Sequence, residues 1–147
     1  RRKIFIMTLV EIETFIYPSL VSAFMILTYQ FRDVMGVGNA RRKCKVLPPK
    51  MDGPPEFQNA VRAQLNQVEQ MPPFFVTLFT ASVLFSPLIA SVIGLSWVII
   101  RSIYTTLYRK NGFSMSLLRF TIPAYFLILA NLGLSVFGAV MLLLNQN

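Results

Sequence analysis

The chain has 147 residues, of which 54% are hydrophobic and only 14% are charged, and these proportions do not suit a water-soluble domain. Its net charge of +8 is better explained by basic loops beside a membrane than by nucleic-acid binding. Histidine is absent, which excludes histidine metal sites and serine–histidine catalysis, and a single cysteine cannot form an internal disulfide.

The first apolar segment predicts a membrane helix at about residues 15–39, since residues 14–31 carry no charge. A hydrocarbon core of about 30 Å requires about 20 apolar helical residues. The basic N-terminal segment "RRK" is followed by an apolar run that Glu11 and Glu13 interrupt, and no small-residue cleavage site follows. We therefore expect no signal peptide here.

A basic linker, "ARRKCKVLPPKMDGPP", separates the first helix from the second. Its four prolines and Gly53 do not allow a continuous helix. The second helix is predicted at about residues 56–85, and we expect Pro72 and Pro73 to kink it. Its first half is polar and its second half is free of charge.

A tight turn at Ser86-Pro87 leads into the third helix, predicted at about residues 87–108. The short loop "RKNGFSM" precedes the fourth, predicted at about residues 117–144. Backbone groups in lipid must be hydrogen-bonded within the protein, so the default architecture is a helical bundle. The sequence thus predicts one all-α domain, residues 1–147, with four transmembrane helices.

The loops predict the orientation of this bundle. With four crossings the first and third loops share a side, and both are basic. The positive-inside rule places both loops in the cytosol. The N-terminal "RRK" would then lie on the opposite side of the membrane, and this is the one feature that disagrees with the positive-inside rule.

Polar side chains form two stripes at the loop end of the bundle. On the second helix Arg62, Asn66 and Glu69 are spaced i, i+4, i+7. On the third helix Arg101, Tyr104 and Tyr108 are spaced i, i+3, i+7. A structural explanation is available, because Glu69 can pair with Arg62 or Arg101 and tyrosines are common at the membrane interface. Two facing stripes favour a polar cavity instead.

Arginines, amides, phenols and one carboxylate suit a small polyanionic and zwitterionic ligand, because the guanidinium fork is the preferred partner of a carboxylate. A molecule with two carboxylates, one ammonium group and a thiol matches these side chains. Glutathione is such a ligand. No metal is expected.

The segment "ARRKCKVLPPKMDGPPEFQNAVRAQLNQVEQMPPF", followed by "GLSWVIIRSIYTTLY", closely resembles the signature of the MAPEG superfamily of membrane proteins in eicosanoid and glutathione metabolism. The resemblance covers about residues 39–108. It implies a homotrimer of four-helix bundles in the endoplasmic reticulum. It also implies that glutathione binds between neighbouring subunits near the cytosolic face.

Residue roles follow from the resemblance. It assigns glutathione contacts to eight positions, namely Arg41, Pro48, Arg62, Gln64, Asn66, Glu69, Tyr104 and Tyr108. Arg42 matches an arginine proposed as a proton donor, and Arg101 matches one expected to neutralise Glu69.

The sequence departs from the family pattern at two positions. Gln70 stands where synthase-type members have a tyrosine. The arginine that activates the thiol normally lies a short distance after the second tyrosine, where this chain has Ser-Met-Ser. The next arginine is Arg119, which we take as the catalytic candidate, and Arg109 is the alternative.

The resemblance implies a glutathione transferase that conjugates glutathione to lipophilic electrophiles, and it allows lipid-hydroperoxide peroxidase activity as a second activity. One alternative is a glutathione-dependent eicosanoid synthase or isomerase. Another is a non-catalytic lipid-binding scaffold of the lipoxygenase-activating type, which lacks the arginine that this chain keeps as Arg62. A transporter subunit is disfavoured, because few polar residues follow the bundle axis along the fourth helix.

Overall fold

A computed structural model describes residues 2–145, and for residues 2–11 and 13 only the backbone. The first helix is one continuous rod made of α1 (Arg2–Thr28), a π-helical turn (Tyr29–Val34) and α2 (Met35–Lys43). It extends beyond both ends of the predicted segment 15–39. The prediction for the N-terminal "RRK" falls largely outside the described residues. Arg1 is not described, and only the backbone is described for Arg2 and Lys3.

Three further helices follow a linker without helical structure: α3 (Pro55–Leu84), α4 (Pro87–Asn111) and α5 (Leu118–Leu144), with a short 3-10 turn (Met115–Leu117) before α5. Prolines open α3 and α4, where the missing N–H costs nothing. Ser86 caps α4 by accepting a hydrogen bond from the Ile89 N–H, and Gly112, at φ 71°, ends it in a conformation that favours glycine.

Neighbouring helices in chain order run in opposite directions. Asn59 lies beside Gly112 at one end of the α3–α4 pair, and Phe74 stacks on Trp97 further along. α3 and α5 run in the same direction, since Gln70 bonds to Tyr125 and, ten residues further along both helices, Thr80 bonds to Ser135 at 2.9 Å. The linker and the loop before α5 therefore lie at the same end, called here the loop end. The predicted all-α four-helix bundle is confirmed.

The main core lies in the middle of the bundle. The ring centroids of Phe74 and Trp97 are 4.2 Å apart with an interplanar angle of 18°. Gly94 allows this close packing, since a Cβ there would lie 2.9 Å from Leu78. A smaller core at the loop end is centred on Phe57. Both cores fix the rotation of α3 against its neighbours.

Three helical segments are long and apolar enough to cross a membrane: residues 14–43, 87–111 and 115–144. Large hydrophobic side chains point outward from them, for example Leu129 and Phe126 of α5. The protein is therefore an integral membrane protein. The predicted second span, α3, is less apolar than these three, because its charge-free part runs only from Met71 to Leu84. It is 30 residues long, or about 45 Å, and it connects the loop end to the opposite end of the bundle.

Candidate functional site

A small hollow lies between α3, α4 and α5 at the loop end. Its volume is about 100 Å³, and it is lined by Asn66, Glu69, Gln70, Arg101, Tyr104, Thr121 and Tyr125. The two polar stripes of the sequence therefore meet here. The hollow is below the roughly 300 Å³ of a small-molecule pocket, so this face of one chain is only part of such a site.

Asn66 and Tyr104 join the two stripes directly. The Asn66 side-chain amide donates a hydrogen bond of 3.2 Å to the Tyr104 hydroxyl. The ring of Tyr108 lies one helical turn away, with its centroid 5.8 Å from that of Tyr104. The two phenols thus form a continuous polar edge on α4 beside the amide of α3.

Arg101 is 4% exposed and ties α4 to α3 through neutral partners. Its Nε donates to the Gln67 side-chain oxygen at 3.2 Å, and its Nη2 donates to the Asn66 carbonyl at 2.7 Å. The guanidinium also lies 4.4 Å from the centroid of the Tyr104 ring. Within residues 2–145 Arg101 and Glu69 form no ion pair, although both line the hollow.

Gln67 is a residue that the sequence analysis missed. It is fully buried, accepts the Arg101 hydrogen bond, and donates to the Met25 sulfur at 3.6 Å. Gln67 continues the buried series Ala60, Ala63 and Phe74, with spacings of three, four and seven residues. This helical spacing indicates a side chain that faces the core.

The glutathione contacts expected on α3 lie on two faces of that helix. Arg62 and Glu69 are exposed on the side of the hollow, and Asn66 is turned from Arg62 by only about 40°. Gln64 is turned from Arg62 by about 200°. Its amide donates instead to the Tyr29 hydroxyl of the first helix at 3.1 Å.

A second depression, the linker groove, lies where the first helix ends. It has a volume of about 660 Å³ and is lined by Gly38, Arg41, Arg42, Lys45, Val46, Leu47 and Pro48. Arg41 donates to the Lys50 carbonyl at 2.8 Å and lies 4.8 Å from the centroid of the Phe57 ring. Phe57 and Gln64 are seven residues apart and share a face of α3, so Gln64 and Arg41 belong to one side of the chain.

Neither candidate for the thiol-activating arginine lines the hollow in a single chain. Arg119 is exposed at the start of α5, with its guanidinium 5.0 Å from the centroid of the Phe120 ring. Arg109 reaches the first helix, where it donates to the Arg32 carbonyl at 2.7 Å. Arg119 is therefore free to move towards a ligand, whereas Arg109 is held on another surface.

A phenol of α5 occupies the region where Gln70 departs from the family pattern. The Gln70 amide donates to the Tyr125 hydroxyl at 3.1 Å, and both side chains line the hollow. Tyr125 was not identified from the sequence as a site residue, because its position depends on how α5 packs against α3. Tyr125 thus places a phenol in the hollow beside Gln70, the position at which synthase-type members have a tyrosine.

Comparison with known proteins decides the family. A sequence model of the MAPEG family matches residues 15–140, most of the chain. The chain belongs to the MAPEG family. Within the described residues of this MAPEG chain no three His, Cys, Asp or Glu side chains cluster as metal ligands.

Three relatives illustrate the similarity. Microsomal glutathione S-transferase 2 of Bos taurus is 40% identical over 89 residues, which are 56% of this chain and 61% of that protein. Leukotriene C4 synthase of Mus musculus is 38% identical over 74 residues, 50% of this chain and 49% of that protein. An uncharacterised Synechocystis protein is 31% identical over 106 residues, 68% of this chain and 77% of that protein. The match thus spans about three-fifths or less of the two named enzymes.

Proposed function

We propose that this protein is a membrane-bound glutathione transferase whose binding site forms between two copies of the chain. One copy contributes the face with Arg62, Asn66, Glu69, Tyr104 and Tyr108. The other contributes the face with Arg41, Arg42, Pro48 and Gln64. The proposal rests on one observation: Asn66 is bonded to α4 whereas Gln64, two residues before it, is bonded to the first helix.

The charges of the two faces support glutathione as the ligand. Arg62 is exposed, and among the described residues it has no ion-pair partner, so its guanidinium is available to a carboxylate. Arg42 is likewise exposed in the linker groove. The relatives named as glutathione S-transferases agree with this chemistry. We place the assembly, a homotrimer, in the endoplasmic reticulum with its loop end in the cytosol.

The catalytic step is the formation of a thiolate. A free thiol has a pKa of about 8.5 and is only slightly ionised at neutral pH. A guanidinium at hydrogen-bond distance that lowers this pKa by about two units contributes about 2.7 kcal/mol and makes the thiolate predominant. We assign this role to Arg119, since Arg109 is bonded to the first helix.

The electrophile enters from the bilayer. The thiolate attacks its electrophilic carbon, so that a carbon–sulfur bond forms as the bond to the leaving oxygen or halide breaks. Arg42 stabilises the developing oxyanion when the electrophile is an epoxide. A lipid hydroperoxide in the same place would be attacked by the same thiolate at its terminal oxygen, so that the O–O bond breaks, the lipid alcohol leaves and glutathione becomes a sulfenic acid. A second glutathione then gives the disulfide and water.

Glutathione binding and thiolate absorbance test this function together. Purified wild-type protein is expected to bind glutathione saturably and to give the ultraviolet absorbance of a thiolate on mixing. Arg119→Ala is expected to keep binding and lose most of the absorbance, while Arg109→Gln keeps both. Absence of glutathione binding by the wild type would refute the function, and an unchanged signal in Arg119→Ala would refute that residue's role.

Replacement of Tyr125 by phenylalanine tests the extra phenol. We expect a decrease in kcat/KM for glutathione of about three- to tenfold, since a single neutral hydrogen bond is lost. Tyr17→Phe is the matched control, because Tyr17 is an exposed phenol in the half of the first helix (residues 2–43) that is far from the loop end. Steady-state kinetics with a chloronitrobenzene, a lipid epoxide and a lipid hydroperoxide measures the effect. Equal rates for Tyr125→Phe and wild type would exclude Tyr125 from the site.

A further inference from the structure

A long groove runs between the first helix and α4 on a side of the chain that the proposed glutathione site does not use. Its volume is about 670 Å³, and its walls are mainly apolar, with Phe24 and Phe31 on one side and Ile99 and Ile103 on the other. Arg109 lies at its loop end. A second depression of about 430 Å³ continues past Arg109 to Lys110. We call the two together the lipid groove.

Among the described residues, the positive charges of Arg109 and Lys110 at the end of the lipid groove have no ion-pair partner, and the carboxylate that lines the same end, Glu56, is already paired with Lys43. Arg32 donates to both carboxylate oxygens of Asp33 at 2.7 and 2.8 Å, and Lys43 pairs with Glu56 at 2.7 Å. Among the described residues neither Arg109 nor Lys110 has a carboxylate at ion-pair distance. A partly buried guanidinium without an anion is unfavourable, so this end of the groove favours an anionic ligand.

The π-helical turn of the first helix holds Arg109 at this position. The Arg32 carbonyl lies in that turn and accepts a hydrogen bond of 2.7 Å from an Arg109 Nη. Gly36, one turn further along, leaves the space that the guanidinium fills, because a Cβ at Gly36 would collide with it. The Arg109 guanidinium is therefore fixed at the mouth of the groove instead of extending into water.

The length of the groove matches one leaflet of a bilayer. Ile99 and Arg109 are ten residues apart on α4, which corresponds to about 15 Å along the helix. Half of a hydrocarbon core of about 30 Å is the same length. An acyl chain that lies against Ile99 and Ile103 would thus bring its head group to the level of Arg109.

We propose that the lipid groove binds one anionic phospholipid from the leaflet at the loop end. Its phosphate contacts Arg109 and Lys110, and one acyl chain lies between α1 and α4 along Phe24 and Ile103. Two unpaired cations favour a head group with two anionic groups and a net negative charge over a single fatty-acid carboxylate, and over a zwitterionic lipid, whose ammonium group cancels the charge of its phosphate. The proposal does not depend on glutathione binding.

Native mass spectrometry of the detergent-purified protein tests the proposal with three probes: palmitoyl-oleoyl phosphatidylserine, palmitoyl-oleoyl phosphatidylcholine and oleate. The wild type is expected to bind phosphatidylserine about tenfold more tightly than phosphatidylcholine, the effect of one charge-assisted contact. Arg109→Gln is expected to abolish this preference. Gly36→Ala is expected to do the same without a change of charge, since it displaces the guanidinium.

Lys50→Gln is the matched control, because it removes one exposed positive charge from the same end of the protein outside the lipid groove. We expect its affinity for phosphatidylserine to stay within about twofold of wild type. If Arg109→Gln does not fold, Lys110→Gln replaces it in the test, because Lys110 is exposed; it is also expected to lose the preference for phosphatidylserine. Equal binding of both phospholipids, equal losses in Lys50→Gln and Arg109→Gln, or displacement of phosphatidylserine by equimolar oleate would each overturn the proposal.

Discussion

Arg62→Ala is expected to weaken glutathione binding by about a hundredfold. Arg62 is exposed on the hollow side of α3 and, among the described residues, pairs with no carboxylate. A bidentate bond from a guanidinium to a ligand carboxylate contributes about 3 kcal/mol, which corresponds to this factor. Isothermal titration calorimetry of glutathione with the purified variant measures the loss.

Two controls separate loss of the contact from loss of charge. Arg62→Lys keeps the charge but not the planar fork, and we expect an intermediate affinity about tenfold below wild type. Lys50→Gln removes a charge at the same end of the bundle and should bind as wild type does. An Arg62→Ala variant with wild-type affinity would show that Arg62 serves only the membrane interface.

Arg101→Ala is expected to lower the free energy of unfolding by about 2–4 kcal/mol. The substitution leaves the buried Gln67 oxygen and the Asn66 carbonyl without their donor, and each unsatisfied group costs about 1–3 kcal/mol. Reversible unfolding in mixed detergent micelles measures the change. Ser96→Ala, one turn or more away on α4, is the control with little expected effect.

The same measurement distinguishes the two roles considered for Arg101. If it mainly neutralised Glu69, Glu69→Gln would destabilise the protein about as much as Arg101→Ala. The observed contacts of Arg101 are with Gln67 and Asn66, so we expect Glu69→Gln to change the stability by less than about 1 kcal/mol. A large loss in Glu69→Gln would support the ion pair inferred from the resemblance.

The sequence predicted the fold well because its signals are local. Prolines at positions 54, 55 and 87 mark helix starts, and charge-free runs mark the apolar helices. The π-helical turn at Tyr29–Val34 was not predicted, since no residue type in that stretch requires it. The second helix was predicted at about residues 56–85 with a polar first half, and α3 runs from Pro55 to Leu84.

The candidate site was less accessible from the sequence. The spacing of Arg62, Asn66 and Glu69 placed them on one face correctly, since helical geometry alone decides it. The same helical geometry places Gln64 on the opposite face of α3. What that face contacts is known only from the structure, where Gln64 bonds to Tyr29 of the first helix. Gln67 and Tyr125 depend on packing between helices, which the residue pattern of one helix does not specify.

Subunit complementation tests most directly the claim that two faces from different copies form one glutathione site. Arg62→Ala and the double variant Arg42→Ala/Gln64→Ala each disable one face, and each alone is expected to be nearly inactive. Co-assembled in equal amounts, they should recover about a quarter of wild-type glutathione transferase activity, because a random trimer with head-to-tail interfaces restores that share of intact sites. Recovery no greater than the sum of the separate variants would contradict a site shared between subunits.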